Sequence, residues 1–224
     1  MNQVIEIIIC VNGLHDTKNQ QAVCHIVCAG EDSGSIAEPR PGDYTIAADG
    51  GLCRLEKAGA APDLIIGDFD SLGYVPDAGN VVKLKSEKDD TDTMAAVRIG
   101  LEKGYRMFYI HCGLGGRLDH TLANIQTLAF ILKYGGIGLL FGKDEAAVMT
   151  SGVLEFSGDM KGYVSVFSYS GQAYGVCIDG LKYDLKDAVL NSAFPLGVSN
   201  EFIGRKGRVC VKKGIILVIY SRSA

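Results

Sequence analysis

The chain has 224 residues, a formal net charge of −4 and 47% hydrophobic side chains, enough for a packed core and too apolar for intrinsic disorder. The mild acidity excludes the basic footprint of a nucleic-acid binder. The longest apolar runs, 7–11 (IIICV) and 215–220 (IILVIY), fall far short of the ~20 residues that span a bilayer, and no secretory signal pattern is present, so a cytoplasmic location without membrane contact is expected.

Along the chain, the first twenty residues carry a strand-like run, VIEIIICV, followed by a polar stretch, NGLHDTKNQQ. This extension suits either an extra edge strand or a dimer contact. From 22 to about 143, short apolar runs alternate with helical patterns. Strands are predicted at 22–30, 44–50, 63–68, 81–85, 107–113 and 136–142. Between them, 51–60, 92–103 and 119–134 place apolar residues at helical spacing, as in Ala95, Ala96, Ile99 and Leu101, or Leu122, Ile125, Leu128, Ala129 and Leu132. Such alternation predicts βαβ units and an α/β fold with a mostly parallel sheet over residues 1–150. Over 151–224 the helical signal fades. Short β-rich runs at 153–156, 163–170, 173–180, 181–185, 208–213 and 215–221, separated by glycine turns, predict an all-β sandwich or barrel domain. Lys213-Gly214, between the last two, reads as a hairpin turn.

The charge divides with the pattern. Residues 1–150 hold 20 acidic and 13 basic side chains, and residues 151–224 hold 6 and 9. Ten acids, eight of them Asp, fall within 49–92. The seven cysteines have no C-x-x-C spacing and read as small buried hydrophobes.

In an open α/β sheet, ligands bind beyond the carboxyl ends of the strands. Four successive predicted strands end in Asp49-Gly50-Gly51, in Gly67-Asp68-Phe69-Asp70-Ser71, in Ser86 through Asp92, and in Gly113-Leu114-Gly115-Gly116-Arg117-Leu118-Asp119-His120. Each Asp taken alone is ordinary turn chemistry, and Asp89 or Asp90 could simply cap the helix that follows. Convergence of all four on one edge points elsewhere. Clustered carboxylates repel, and a divalent cation with hard oxygen ligands resolves the conflict. Asp68 and Asp70, at i and i+2, would share one face of a true strand and are the candidate metal ligands. The glycines of 113–117 let backbone N–H groups approach an anion, and Arg117 adds a planar fork of donors suited to phosphate. The loop matches neither a dinucleotide fingerprint nor a Walker motif. His120 is divided between helix-cap partner and ligand contact, whereas His15, His25 and His111 read as structural. Ser71 lacks a nearby base and is not a candidate nucleophile.

Together, ADGG (48–51), PDLIIGDFDS (62–71), KDDTD (88–92), GGRLDH (115–120) and LGVSNEF (196–202) resemble the bacterial thiamine pyrophosphokinase family in the same order over residues 22–220. The resemblance implies a homodimer with a Rossmann-like α/β catalytic domain and a C-terminal β-sandwich that binds thiamine. It implies transfer of pyrophosphate from ATP to the thiamine hydroxyl, releasing AMP, with Mg2+. On the same ground Asp68 and Asp70 hold Mg2+ and the ATP phosphates, Asp49 and Asp92 complete the catalytic acids, and Asp89 lies close by. Gly115, Gly116, Arg117, Asp119 and His120 match the nucleotide-contacting loop. Ser199 and Asn200 match the segment that reaches the partner subunit's thiamine site. Either Asp92 or Asp70 accepts the hydroxyl proton. The chain departs from the family in its residues 1–21 and in having no Trp to set against thiamine, where Phe202 or a tyrosine would substitute. A related diphosphotransferase for another alcohol, such as a pterin or another vitamin, and a non-catalytic nucleotide-binding regulator are the competing readings.

Overall fold

The computed structural model describes residues 7–11, 14–15, 21–34, 36, 38–70, 73–76, 79–85 and 90–222. The chain divides into two compact units, Ala22–Lys143 and the chain up to Gln21 together with Asp144–Ala224. Two strands precede the first unit in sequence and belong to the second, β1 (Ile7–Val11) and β2 (Leu14–His15).

The first unit alternates β3 (Val23–Val27), β4 (Tyr44–Ala48), α1 (Gly51–Lys57), β5 (Leu64–Gly67), β6 (Val81–Lys83), α2 (Asp92–Glu102), β7 (Met107–His111), α3 (Leu118–Lys133) and β8 (Ile137–Phe141). Its strands lie in the order β8-β7-β3-β4-β5-β6, with every neighbouring pair parallel. β3 and β8 are buried at every position, which is why neither shows apolar–polar alternation. Helices cover both faces. Gly100 of α2 lies against Phe108 and Cys24, and Gly138 of β8 lies against Leu128 and Ile131 of α3. On the opposite face Val27, Ala47 and Ile65 pack with Leu52 and Leu55 of α1 and with Phe69. Burial of each such leucine is worth roughly 1.5–3 kcal/mol.

The strand order reverses between β3 and β7. The chain steps outward from β3 through β4 and β5 to β6, then returns to the other side of β3 for β7. In an open α/β sheet such a switch point is where ligands bind, beyond the carboxyl ends of the strands.

The second unit contains β9 (Glu145–Thr150), β10 (Val153–Phe156), β11 (Tyr163–Ser168), β12 (Gln172–Asp179), β13 (Leu185–Asn191), β14 (Gly197–Glu201), β15 (Gly207–Cys210) and β16 (Ile216–Ser221). Two antiparallel runs form, β13-β12-β15-β10-β1-β2 and β14-β11-β16-β9. Its core includes Phe156, whose ring meets Tyr220 and Phe202 edge-on at 5.5 and 5.3 Å. The fold is mixed α/β, with a mostly parallel sheet region and a separate antiparallel β region.

Several elements differ from the sequence expectation. Residues 145–150 form a strand because β16 pairs with them along their whole length, from Ile216 opposite Thr150 to Ser221 opposite Glu145. Lys213-Gly214 is not a hairpin turn, because β15 pairs with β10 and β12 whereas β16 pairs with β9 and β11. The chain changes sheets there, with Gly214 at φ 105°. The run 181–185 is not a strand of its own: Leu181 makes an isolated bridge to Phe202, and β13 begins at Leu185. β13 and β14 went unpredicted because each lies at the edge of its run and carries a mostly exposed, polar-rich sequence. No helix of the described residues is long and apolar enough to cross a membrane.

Candidate active site at the carboxyl ends of the parallel strands

Three carboxylates meet where β4, β5 and α2 converge. Asp49 directly follows β4, in the left-handed region at φ 49°, and its N–H donates to Ile66 O at 2.7 Å. Asp68 directly follows β5. Asp92 opens α2, whose cap is Thr91, with Oγ1 accepting the Met94 N–H at 3.2 Å. The helix dipole favours an anion in that first turn. One carboxylate oxygen from each of Asp49, Asp68 and Asp92 lies within 4.8 Å of the other two, and all three side chains are half-buried.

Asp70 does not belong to this group. It is exposed, and its N–H donates to Asp68 Oδ1 at 3.2 Å. The residue between them accounts for the separation. Phe69 is 2% exposed, packed in the α1-face core, and sits at φ 63°, a conformation rare for a bulky side chain. β5 ends at Gly67, so strand alternation does not govern Asp68 and Asp70. Phe69 instead anchors the turn while the flanking aspartates stay outside the core. The sequence signal for this anchor was a lone aromatic between two acids. Asp89 lies outside the described residues, and Asp90 pairs with Arg98 at 2.7 Å.

The loops after β3 and β7 are joined. The Cys28 N–H donates to His111 O at 3.0 Å and the Gly30 N–H to Cys112 O at 3.1 Å. A Cβ at residue 30 would lie 2.3 Å from that Cys112 oxygen, so only glycine allows the approach. Asn124 of α3, 7% exposed, donates to Gly113 O at 2.8 Å and holds the second loop from behind. Gly115 and Gly116 both take left-handed backbone, φ 79° and 68°. The Gly116 N–H donates to the Glu31 carboxylate at 3.4 Å, so a carboxylate rests where the glycines had suggested an anion. Neither Glu31 nor Asn124 was marked by the sequence, since each acts on a residue remote in the chain.

Arg117 is the cap residue of α3 and makes no side-chain cap bond. Its guanidinium grips Asp119 with two bonds, Nη2–Oδ2 at 2.6 Å and Nε–Oδ1 at 3.1 Å, in full solvent. This pairing holds the Asp119 carboxyl below the usual carboxylate range and raises Arg117. Asp119 Oδ1 also accepts the His120 N–H at 3.0 Å, and His120 is exposed.

Ser199 and Asn200 lie on β14 of the second unit. Ser199 is exposed, has φ 60°, and its N–H donates to Ser165 Oγ at 3.1 Å. Asn200 is buried and its amide acts like a strand partner for Tyr183. Its Nδ2 donates to Tyr183 O at 2.7 Å, and its Oδ1 accepts the Tyr183 N–H at 3.0 Å and the Glu201 N–H at 2.9 Å. The Phe202 ring is set against Phe156.

His25 of β3 and His111 of β7, on neighbouring central strands, are buried together, His25 Nδ1 lying 3.2 Å from His111 Nε2 and His25 Nε2 lying 3.4 Å from Asp43 Oδ2. Burial pulls the His25 imidazole below its ordinary value despite the nearby Asp43. Burial alone would raise Asp43, but N–H bonds from Val23 and Arg40 outweigh it and hold that carboxyl low.

Family models place these features in context. Residues 40–135 match the model described as thiamin pyrophosphokinase, catalytic domain, and residues 153–216 match thiamin pyrophosphokinase, vitamin B1 binding domain. The chain is similar to the thiamine pyrophosphokinase of Bacillus subtilis (strain 168), with 31% identity over 184 residues, 79% of this chain and 86% of that protein. A crystal structure of thiamine pyrophosphokinase from Bacillus subtilis superposes with a TM-score of 0.78 at 27% identity, covering 90% of this chain and all of the other. Thiamin pyrophosphokinase from Candida albicans shares the fold at 17% identity, with a TM-score of 0.72 over 90% of each chain.

Proposed function

This chain belongs to the thiamine pyrophosphokinase family of enzymes, and from that premise we propose that it transfers the pyrophosphoryl group of ATP to the hydroxyl of thiamine, giving thiamine diphosphate and AMP. The observation that carries this reading is the meeting of Asp49, Asp68 and Asp92 at the carboxyl edge of the sheet that also carries an anion-accepting glycine loop. Three carboxylates so close form a hard oxygen donor set that fits Mg2+. Asp49, Asp68 and Asp92 would hold the ion, which when bound neutralises phosphate charge.

The protein's own groups do the remaining work, which in phosphoryl transfer is mostly positioning and charge neutralisation. Gly115 and Gly116 offer backbone N–H groups to phosphate oxygens, displacing the Glu31 carboxylate. Arg117 exchanges Asp119 for phosphate, presenting the same two-pronged face to a second anion. Asp70 stands beside the acidic group without being part of it and is the carboxylate left to take the hydroxyl proton as thiamine attacks the β-phosphorus in line.

The α/β unit is a Rossmann-like ATP-binding domain and the antiparallel runs pack as a sandwich in this proposal. The enzyme is a cytoplasmic homodimer in which β14 brings Ser199 to the partner's site while Asn200 shapes the strand. The edge position of β14 and the exposed Phe194, Leu196, Val198 and Ile203 around it support an interface there. Incubation with ATP, Mg2+ and thiamine should yield AMP and thiamine diphosphate in equal amounts. AMP formed with a pterin or another vitamin alcohol in place of thiamine, and not with thiamine, would assign another alcohol acceptor. ATP binding without turnover would assign a regulator.

A further inference from the structure

β12 and β15 run side by side and antiparallel, with Cys177 directly opposite Cys210, one step from the pair Ile178–Val209 and two from Asp179–Arg208. Residues opposed in this way share a face of the sheet and have Cα atoms roughly 4.5–5.5 Å apart. A disulfide needs about 4.4–6.8 Å, so the backbone already meets its requirement. Burial alternates along both strands. Val176, Ile178 and Val209 are buried, whereas the two cysteines are half-buried on the outward face with the exposed Asp179 and Arg208. Both thiols are free.

The surroundings of the two sulfurs differ. Cys177 sits in an irregular stretch of the β12–β13 pairing, between Val176 opposite Ala188 and Ile178 opposite Leu185. There Asp187 takes φ 48° and turns its backbone N–H toward the Cys177 sulfur, with Lys212 held nearby by its own ion pair to Asp187 at 2.8 Å. The N–H bond, contact with Cys210 and the Lys212 charge lower the Cys177 thiol, whereas burial pushes the Cys210 thiol up. By contrast, burial drives the core cysteines Cys24 and Cys28 up to about 12 and leaves them inert.

We propose that Cys177 and Cys210 are a thiol-modification site, closing a reversible cross-strand disulfide by exchange with small-molecule disulfides. The Cys177 thiolate attacks one sulfur of the reagent, breaking its S–S bond and releasing one thiolate as a Cys177 mixed disulfide forms. Cys210 then loses its proton to water and attacks the Cys177 sulfur, forming the Cys177–Cys210 bond and releasing the second thiolate. The protein loses two electrons and the reagent gains them. Cys177 attacks and Cys210 resolves.

The test uses the full chain and glutathione disulfide, with thiols counted after denaturation and linkages mapped by mass spectrometry. The wild type should fall from seven titratable thiols to five, yield a single peptide pair joining Cys177 to Cys210, and recover with dithiothreitol. Cys210→Ser should stop at a glutathione adduct on Cys177, and Cys177→Ser should form neither product at comparable times. Seven thiols remaining in the wild type, a linkage between other cysteines, a stable wild-type adduct, or a Cys177→Ser variant that still loses two thiols would each overturn the proposal.

Discussion

Asp68→Asn removes one charge from the acidic group while keeping an oxygen to accept the Asp70 N–H. The oxygens of Asp49, Asp68 and Asp92 lie within 4.8 Å of one another, so each ionised pair repels by roughly 3 kcal/mol at an effective dielectric near 20 and by roughly 1 kcal/mol in bulk water. Removing Asp68 abolishes two of the three repulsions. The side chains are half-buried and screened, so a net gain of about 1–3 kcal/mol is expected for the metal-free protein. In a chain of this length that corresponds to a melting point raised by roughly 2–10 °C. Mg2+ should separate the two proteins. The wild type should gain about 2.7 kcal/mol at a hundred times the dissociation constant, and the variant should gain little. The measurement is a thermal melt of both proteins in chelator and in a Mg2+ series, alongside AMP production, which the variant should lose. A variant less stable in chelator that keeps the full Mg2+ shift would refute the reasoning, because it would mean the three carboxylates are neither strained nor the ion's ligands.

Arg117→Ala should leave the melting point unchanged, because its ion pair with Asp119 lies in full solvent, yet reduce kcat/KM for ATP by roughly 100-fold; an unaltered kcat/KM would remove Arg117 from the phosphate site. Gly51→Ala should cost more than about 3 kcal/mol in urea unfolding, since its Cβ would fall 1.8 Å from Val27 O, and a neutral result would mean that α1 does not press against β3. Thr91→Ala should cost about 1 kcal/mol through loss of the α2 cap, read in the same way. The folded His25 binds its proton more weakly than the ordinary 6.5 of the unfolded chain. Stability from the neutral ring is therefore full above about pH 6.5 and is lost as pH falls, by up to about 1.4 kcal/mol per unit, until the folded value is reached. His25→Gln should flatten the urea-stability profile as pH falls below about 6.5, and an unchanged slope would count against the buried neutral ring.

The alternation of strands and helices across 22–143 was legible because local periodicity reports which face of an element is buried. The acids at the strand ends were legible because residue type and strand boundary are both local. β13 and β14 were not, since an edge strand with one exposed face and polar residues such as Lys186, Asp187 and Ser199 carries little apolar alternation. Their pairing came from partners elsewhere in the chain, β12 and β11.

Composition and pattern by themselves determined an α/β region followed by a β region, an acidic edge facing a glycine-arginine loop, and a likeness to one enzyme family. Only the tertiary structure decided which carboxylates meet, gathering Asp49, Asp68 and Asp92 and leaving Asp70 beside them. It also set Glu31 on Gly116, 85 residues away, and Cys177 opposite Cys210. Periodicity records burial, a property of one element against a core. Proximity between side chains from different elements depends on strand order, register and the turn anchored by Phe69, which are settled when distant segments pack together.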